Sequence, residues 1–158
     1  MTVLRKILFV DDDIPFVGLE DYLAAVRRNF EVVCVERAVD VGPALAKHHD
    51  VCAIVLDMMM AVPPAVDPRS VDGGQYTGLW VLRENRRAID GRRIRVVVLT
   101  QKLPRDIHRL MREDALHLPM GELVRVHRKL ETKAPELPIL VKRFLDEIGG
   151  ADLAEPPR

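Results

Sequence analysis

Carboxylates, one hydroxyl and one ammonium stand at the ends of apolar runs in this chain. Asp11, Asp12 and Asp13 follow ILFV, Asp57 follows VCAIVL, Thr100 follows IRVVVL, and Lys129 follows LVRVHR. Clustered carboxylates repel one another and raise one another's pKa unless a cation joins them. Their oxygens suit Mg2+, which takes few protein ligands together with water and a phosphoryl oxygen. A carboxylate also attacks phosphorus to form an aspartyl phosphate. Thr100 and Lys129 would then bind the phosphoryl oxygens. Taken singly, an acid after a strand is ordinarily a turn residue or a helix cap, and Asp13 fits that description best. A lone strand-end threonine or lysine is ordinarily structural. The joint order of these residues points to phosphoryl chemistry.

The elements that must position them follow from two hydrophobic periods. Ile7–Val10, Glu31–Val35, Val51–Leu56, Ile94–Leu99 and Leu123–His127 read as strands. Between them, helical spacing predicts helices over 14–28 (Phe16, Leu19, Leu23, Val26), 39–48, 78–88 (Leu79, Leu82 and Trp80 inward), 104–112 and 135–148. Asp13 and Pro15 suit the start of the first helix. The last helix carries Leu137, Leu140, Val141, Phe144, Leu145 and Ile148 on one side, and Gly149-Gly150 stops it. Residues 115–122 have no clear pattern. Residues 61–77, with prolines, glycines and no period, read as a long surface loop flanking the site. Strands alternating with helices predict an α/β fold: a doubly wound, five-stranded parallel sheet covered on both faces. In such a sheet the binding crevice lies beyond the carboxyl ends of the strands, where the polar residues stand.

The 158 residues are 48% hydrophobic and 30% charged, enough for one core and one domain over 1–150, with 151–158 a frayed tail. The 24 basic and 24 acidic side chains cancel, which argues against direct binding to nucleic acid by phosphate attraction and against a polybasic membrane anchor. No apolar run is long enough to span a bilayer or to serve as a signal-peptide core, so a cytoplasmic location is expected. Cys34 and Cys52 are expected to be buried free thiols. His48 and His49 are adjacent and His108, His117 and His127 scattered, so no zinc spacing is present.

The motifs KILFVDDD, IVLDMMM, VVVLT and VRVHRK, in this order, resemble the receiver domain of two-component response regulators, over roughly residues 4–148. The resemblance implies a CheY-like, flavodoxin-like (βα)5 sandwich. It makes Asp57 the phosphoacceptor and Asp11 and Asp12 the acidic pair. Asp12, Asp57 and the backbone carbonyl of Met59 become direct Mg2+ ligands, and Asp11 acts through water. Thr100 becomes the hydroxyl and Lys129 the ammonium of the site. It further implies a histidine kinase or histidine phosphotransfer protein as phosphodonor, no separate substrate as an enzyme would have, and output through contact with a downstream protein. Several positions depart from the family pattern. Gly78 lies 21 positions after Asp57, a long insertion; Gln101 follows the hydroxyl where a small residue is usual; Val126 stands for an aromatic and Leu130 for a proline. A non-proline cis bond costs about 3 kcal/mol, so a trans Lys129–Leu130 bond is expected.

Two other readings compete. A haloacid-dehalogenase-type phosphatase would use Asp11 as nucleophile and Asp13 as acid/base, but Pro15 spoils its motif and Asp57 goes unused. A pseudo-receiver would bind partners without phosphorylation, yet every acidic group of the site is present. No output domain is expected after residue 150. The expected contact face therefore draws on Arg105, His108, Arg109, Arg112, Arg125, Arg128, Lys142 and Arg143, suited to an acidic partner or to a homodimer through ion pairs.

Overall fold

A computed structural model describes residues 3–13, 19–113 and 122–149. The expected helix start with Pro15 and Phe16, His117 with most of the patternless stretch, and the 151–158 tail lie outside these. Five strands form one parallel sheet: β1 (Lys6–Val10), β2 (Glu31–Val35), β3 (Val51–Asp57), β4 (Arg95–Thr100) and β5 (Val124–Arg128). Their order is β2-β1-β3-β4-β5, as the doubly wound reading requires.

Alternation along each strand divides the core in two. Leu8 and Val10, Ile54 and Leu56, Val96 and Val98 face one side. There they pack with α2 (Val41–Lys47), α3 (Thr77–Glu84), α4 (Arg86–Gly91) and α5 (Pro104–Glu113). Ile7 and Phe9, Ala53 and Val55, Val97 and Leu99 face the other, against α1 (Glu20–Arg27) and α6 (Glu136–Gly149). A sheet buried on both faces explains why β3 and β4 read as unbroken apolar runs.

Three expectations need correction. The single helix over 78–88 is two helices. Asn85 takes φ −104 and ψ 10 between them, and its side-chain amide donates to the Val81 carbonyl at 2.8 Å. The 61–77 loop is shorter and more ordered than expected. It holds 3-10 turns over Pro68–Gly74, entered through Asp67, whose carboxylate accepts from the Arg69 amide, and α3 already begins at Thr77. Cys34 and Cys52 are free but only half-buried. The described residues contain no cis peptide, so the Lys129–Leu130 bond is trans as expected.

Candidate phosphoryl site

The order of the sheet reverses between β1 and β3, which opens a crevice at their carboxyl ends. Register fills it. Val10 lies beside Leu56, so Asp11 emerges next to Asp57, and Asp57 lies beside Leu99, so Thr100 follows at the next strand end. Thr100 in turn lies beside Arg128, and Lys129 comes one residue later. Carboxylate oxygens of Asp11, Asp12 and Asp57 lie within 4.8 Å of one another. Lys129 Nζ stands 3.3 Å from Asp11 Oδ2. The sequence-derived acids and lysine are thus brought together, with buried Thr100 on the neighbouring strand.

The site is largely closed to water. Asp11 is 2% exposed, Asp57 7% and Thr100 fully buried. Burial pushes the Asp57 carboxyl up to about 7; the Lys129 ammonium opposes this, while the like charges of Asp11 and Asp12 add to it. Burial also raises Asp11, against the Asp13 backbone N–H and Lys129. For Lys129, burial works against the charged form, but Asp57 and Asp11 outweigh it and the ammonium is held above its usual range. Three acids facing one ammonium leave surplus negative charge in a small space. Their oxygen donors are the set that a hard divalent cation takes, so Mg2+ fits these residues.

Neighbouring backbone fixes the acids. The Asp13 amide donates to Asp11 Oδ1 at 2.9 Å, and the Met59 amide approaches Asp57 Oδ1 at 3.4 Å. Asp13 itself is exposed, as a turn residue should be. The Thr100 hydroxyl accepts from the Lys102 amide at 2.9 Å, leaving its own proton available for donation. Asp12 accepts from the Ala61 amide at 2.7 Å, which ties the 61–76 loop to the site.

That loop returns close to its origin. The Met60 amide donates to the Gly74 carbonyl at 3.2 Å, and the Gly78 amide to the Met58 carbonyl at 3.0 Å. The buried Thr77 hydroxyl donates to the Met60 carbonyl at 2.8 Å. Gly74 has φ +102, and a Cβ there would sit 2.7 Å from the Met60 carbonyl oxygen. At Gly78 a Cβ would meet the Asp57 carbonyl oxygen at 2.9 Å. Sequence reasoning missed Ala61, Gly74 and Thr77 because their partners are backbone groups that no side-chain motif announces.

The expected basic face is partly neutralised within the chain. Arg125 pairs with Glu147 and lies 4.1 Å over the Phe144 ring, Arg128 pairs with Glu131, and Arg105 lies 4.0 Å from Asp106.

No family model matches the chain, and no curated protein does. Solved structures do match its doubly wound architecture. A CheY-like response regulator receiver domain protein from Methanospirillum hungatei JF-1 is 17% identical with a TM-score of 0.63, over 94% of this chain and 98% of that one. A response regulator receiver domain protein from Clostridium thermocellum is 19% identical, with a TM-score of 0.63 over 92% and 98% of the two chains. The BeF3-activated N-terminal receiver domain of Klebsiella pneumoniae RstA is 24% identical, with a TM-score of 0.59 over 89% and 97%. The class is therefore a doubly wound α/β domain. Its particular form is the CheY-like receiver fold, spanning most of the chain.

Proposed function

We propose that this chain is a receiver that takes a phosphoryl group onto Asp57 from a histidine kinase or a histidine phosphotransfer protein in the cytoplasm. The observation that carries the reading is the meeting of Asp11, Asp12 and Asp57 within 4.8 Å, with Lys129 held against Asp11. A carboxylate oxygen of Asp57 attacks the phosphorus of a phosphohistidine. A P–O bond forms, the P–N bond breaks, and the imidazole leaves with a proton taken from solvent. Water later attacks phosphorus, the bond to Asp57 breaks, and inorganic phosphate leaves the restored carboxylate. The chain is its own acceptor and needs no further substrate.

Asp12, Asp57 and the Met59 carbonyl would hold Mg2+, with Asp11 acting through water. When bound, the ion offsets the charge of the acids and of the incoming phosphoryl group. Lys129 supplies a fixed positive charge beside the acceptor, and Thr100 supplies a hydroxyl proton for a phosphoryl oxygen. Burial of Asp57 limits access of water to the acyl phosphate. Output passes to a downstream protein by contact.

The test is acyl-phosphate formation with acetyl phosphate and Mg2+. Wild type is expected to label and Asp57→Asn to remain unlabelled. Equal labelling of both would sink the assignment, and absence of label in wild type would favour a phosphorylation-independent adaptor.

A further inference from the structure

Lys129 follows the edge strand β5, whereas its partner Asp11 follows β1, three strands away across β4 and β3. At about 4.8 Å per strand that is on the order of 14 Å, more than a lysine side chain alone can span. The Lys129 and Asp11 side chains close this span together, from the place where the 3-10 turn after β5 sets the Lys129 backbone. That 3-10 turn, Lys129–Glu131, holds itself weakly: the Thr132 amide reaches the Lys129 carbonyl at 3.4 Å, and the Thr132 hydroxyl donates to the Arg128 carbonyl at 3.1 Å. Leu130 points into solvent, 79% exposed, and adds no packing. The short bond comes from elsewhere. The Tyr22 hydroxyl on α1 donates to the Thr132 carbonyl at 2.6 Å and lies 3.4 Å from the Lys129 carbonyl. The Tyr22 ring packs against the core layer shared by α1 and α6, so its hydroxyl is a fixed point.

We infer that Tyr22 is a positioning residue for the phosphoryl site, fastening the 129–132 turn from α1 so that the Lys129 ammonium stands over the β1 and β3 carboxylates. This rests on the reading of Asp57 as phosphoacceptor. Loss of the hydroxyl frees the turn to drift from the sheet, and displacement of a site group by about 1 Å costs up to roughly a hundredfold in rate.

The test uses the full chain as wild type, Tyr22→Phe, Lys129→Ala and the double variant, each given acetyl phosphate and Mg2+. Tyr22→Phe is expected to slow acylation about tenfold, within that range. Lys129→Ala is expected to slow it at least as much, and the double variant no further than Lys129→Ala. Wild-type rates in Tyr22→Phe, or losses that multiply in the double variant, overturn the inference. A second measurement needs no acylation. Lysines are labelled by reductive 13C-methylation, and the Lys129 signal is assigned by its absence in Lys129→Ala. Tyr22→Phe is expected to move this signal as the ammonium leaves the two acids. A general loss of stability would not do so in the folded state. If wild type forms no acyl phosphate, the receiver reading fails on its own, and the Lys129 signal still decides. An unmoved signal overturns the role of Tyr22, and a moved one supports it.

Discussion

The Ala61 amide donates to Oδ2 of Asp12 at 2.7 Å, so the first residue of the 61–76 loop is bonded to the acidic site. Asp12→Asn keeps a carbonyl acceptor but loses the charge. Asp12→Ala loses both. Hydrogen exchange at Ala61 is expected to quicken roughly tenfold in Asp12→Ala. In Asp12→Asn it stays closer to wild type, while Mg2+ affinity falls in both variants. Identical Ala61 exchange in all three proteins would show that the bond does not hold the loop.

Asp57 gives a pH dependence of defined sign. Its carboxyl ionises near 3.8 in the unfolded chain and is pushed up to about 7 by burial in the folded one. The folded state therefore holds a proton that the unfolded state has released between these values. The stability contribution is complete below about 3.8 and is lost as pH rises through about 7. With EDTA present, Asp57→Asn is expected to gain on wild type by an amount on the order of 3 kcal/mol between pH 4 and pH 8. Mg2+, which favours the ionised carboxylate, is expected to narrow the gap. Thermal unfolding across pH measures this, and a gap independent of pH would remove the assigned ionisation.

At the base of the loop, Gly74 and Gly73 both have positive φ but different surroundings. A Cβ at Gly73 meets nothing within 4 Å, whereas at Gly74 it meets the Met60 carbonyl oxygen. Gly73→Ala is expected to cost about 1 kcal/mol of unfolding free energy from backbone strain alone. Gly74→Ala is expected to cost at least about 2 kcal/mol, because the Met60–Gly74 bond must also yield. Urea titration separates the two, and equal costs would contradict the close approach.

Thr100 accepts from the Lys102 amide, and the Val126 side chain on β5 has no group that can hydrogen-bond. A phosphoryl mimic drawing on the Thr100 hydroxyl is therefore expected to act through residues 100–104. With beryllofluoride and Mg2+, hydrogen exchange is expected to change there more than over 124–128, and Thr100→Val is expected to abolish the response. Large changes confined to 124–128 would place the route elsewhere.

The strands and their terminal acids were legible because a sheet buried on both faces must be written as continuous apolar runs that stop abruptly. The split at Asn85 was not, since Leu79, Leu82 and Ile89 keep apolar spacing across it and only backbone angles break. Asp11, Asp12, Asp57, Thr100 and Lys129 could be found by position at strand ends. Tyr22 could not, because in the sequence it is one more residue of a helix, and its hydroxyl meets carbonyls more than a hundred residues away. The same holds for Thr77, which binds the carbonyl of Met60 across the whole loop.

The bonded pair Met60 and Gly74 makes a neck, and residues 64–70 beyond it bury no side chain. Chain length outside a closed neck carries little thermodynamic weight, since doubling a flexible loop costs only about 0.6 kcal/mol. The protein thus has a splice point: a foreign peptide inserted between Pro64 and Ala65, ahead of the Asp67-capped turn, would not lengthen the path from Asp57 to Met60 or from Gly74 to α3.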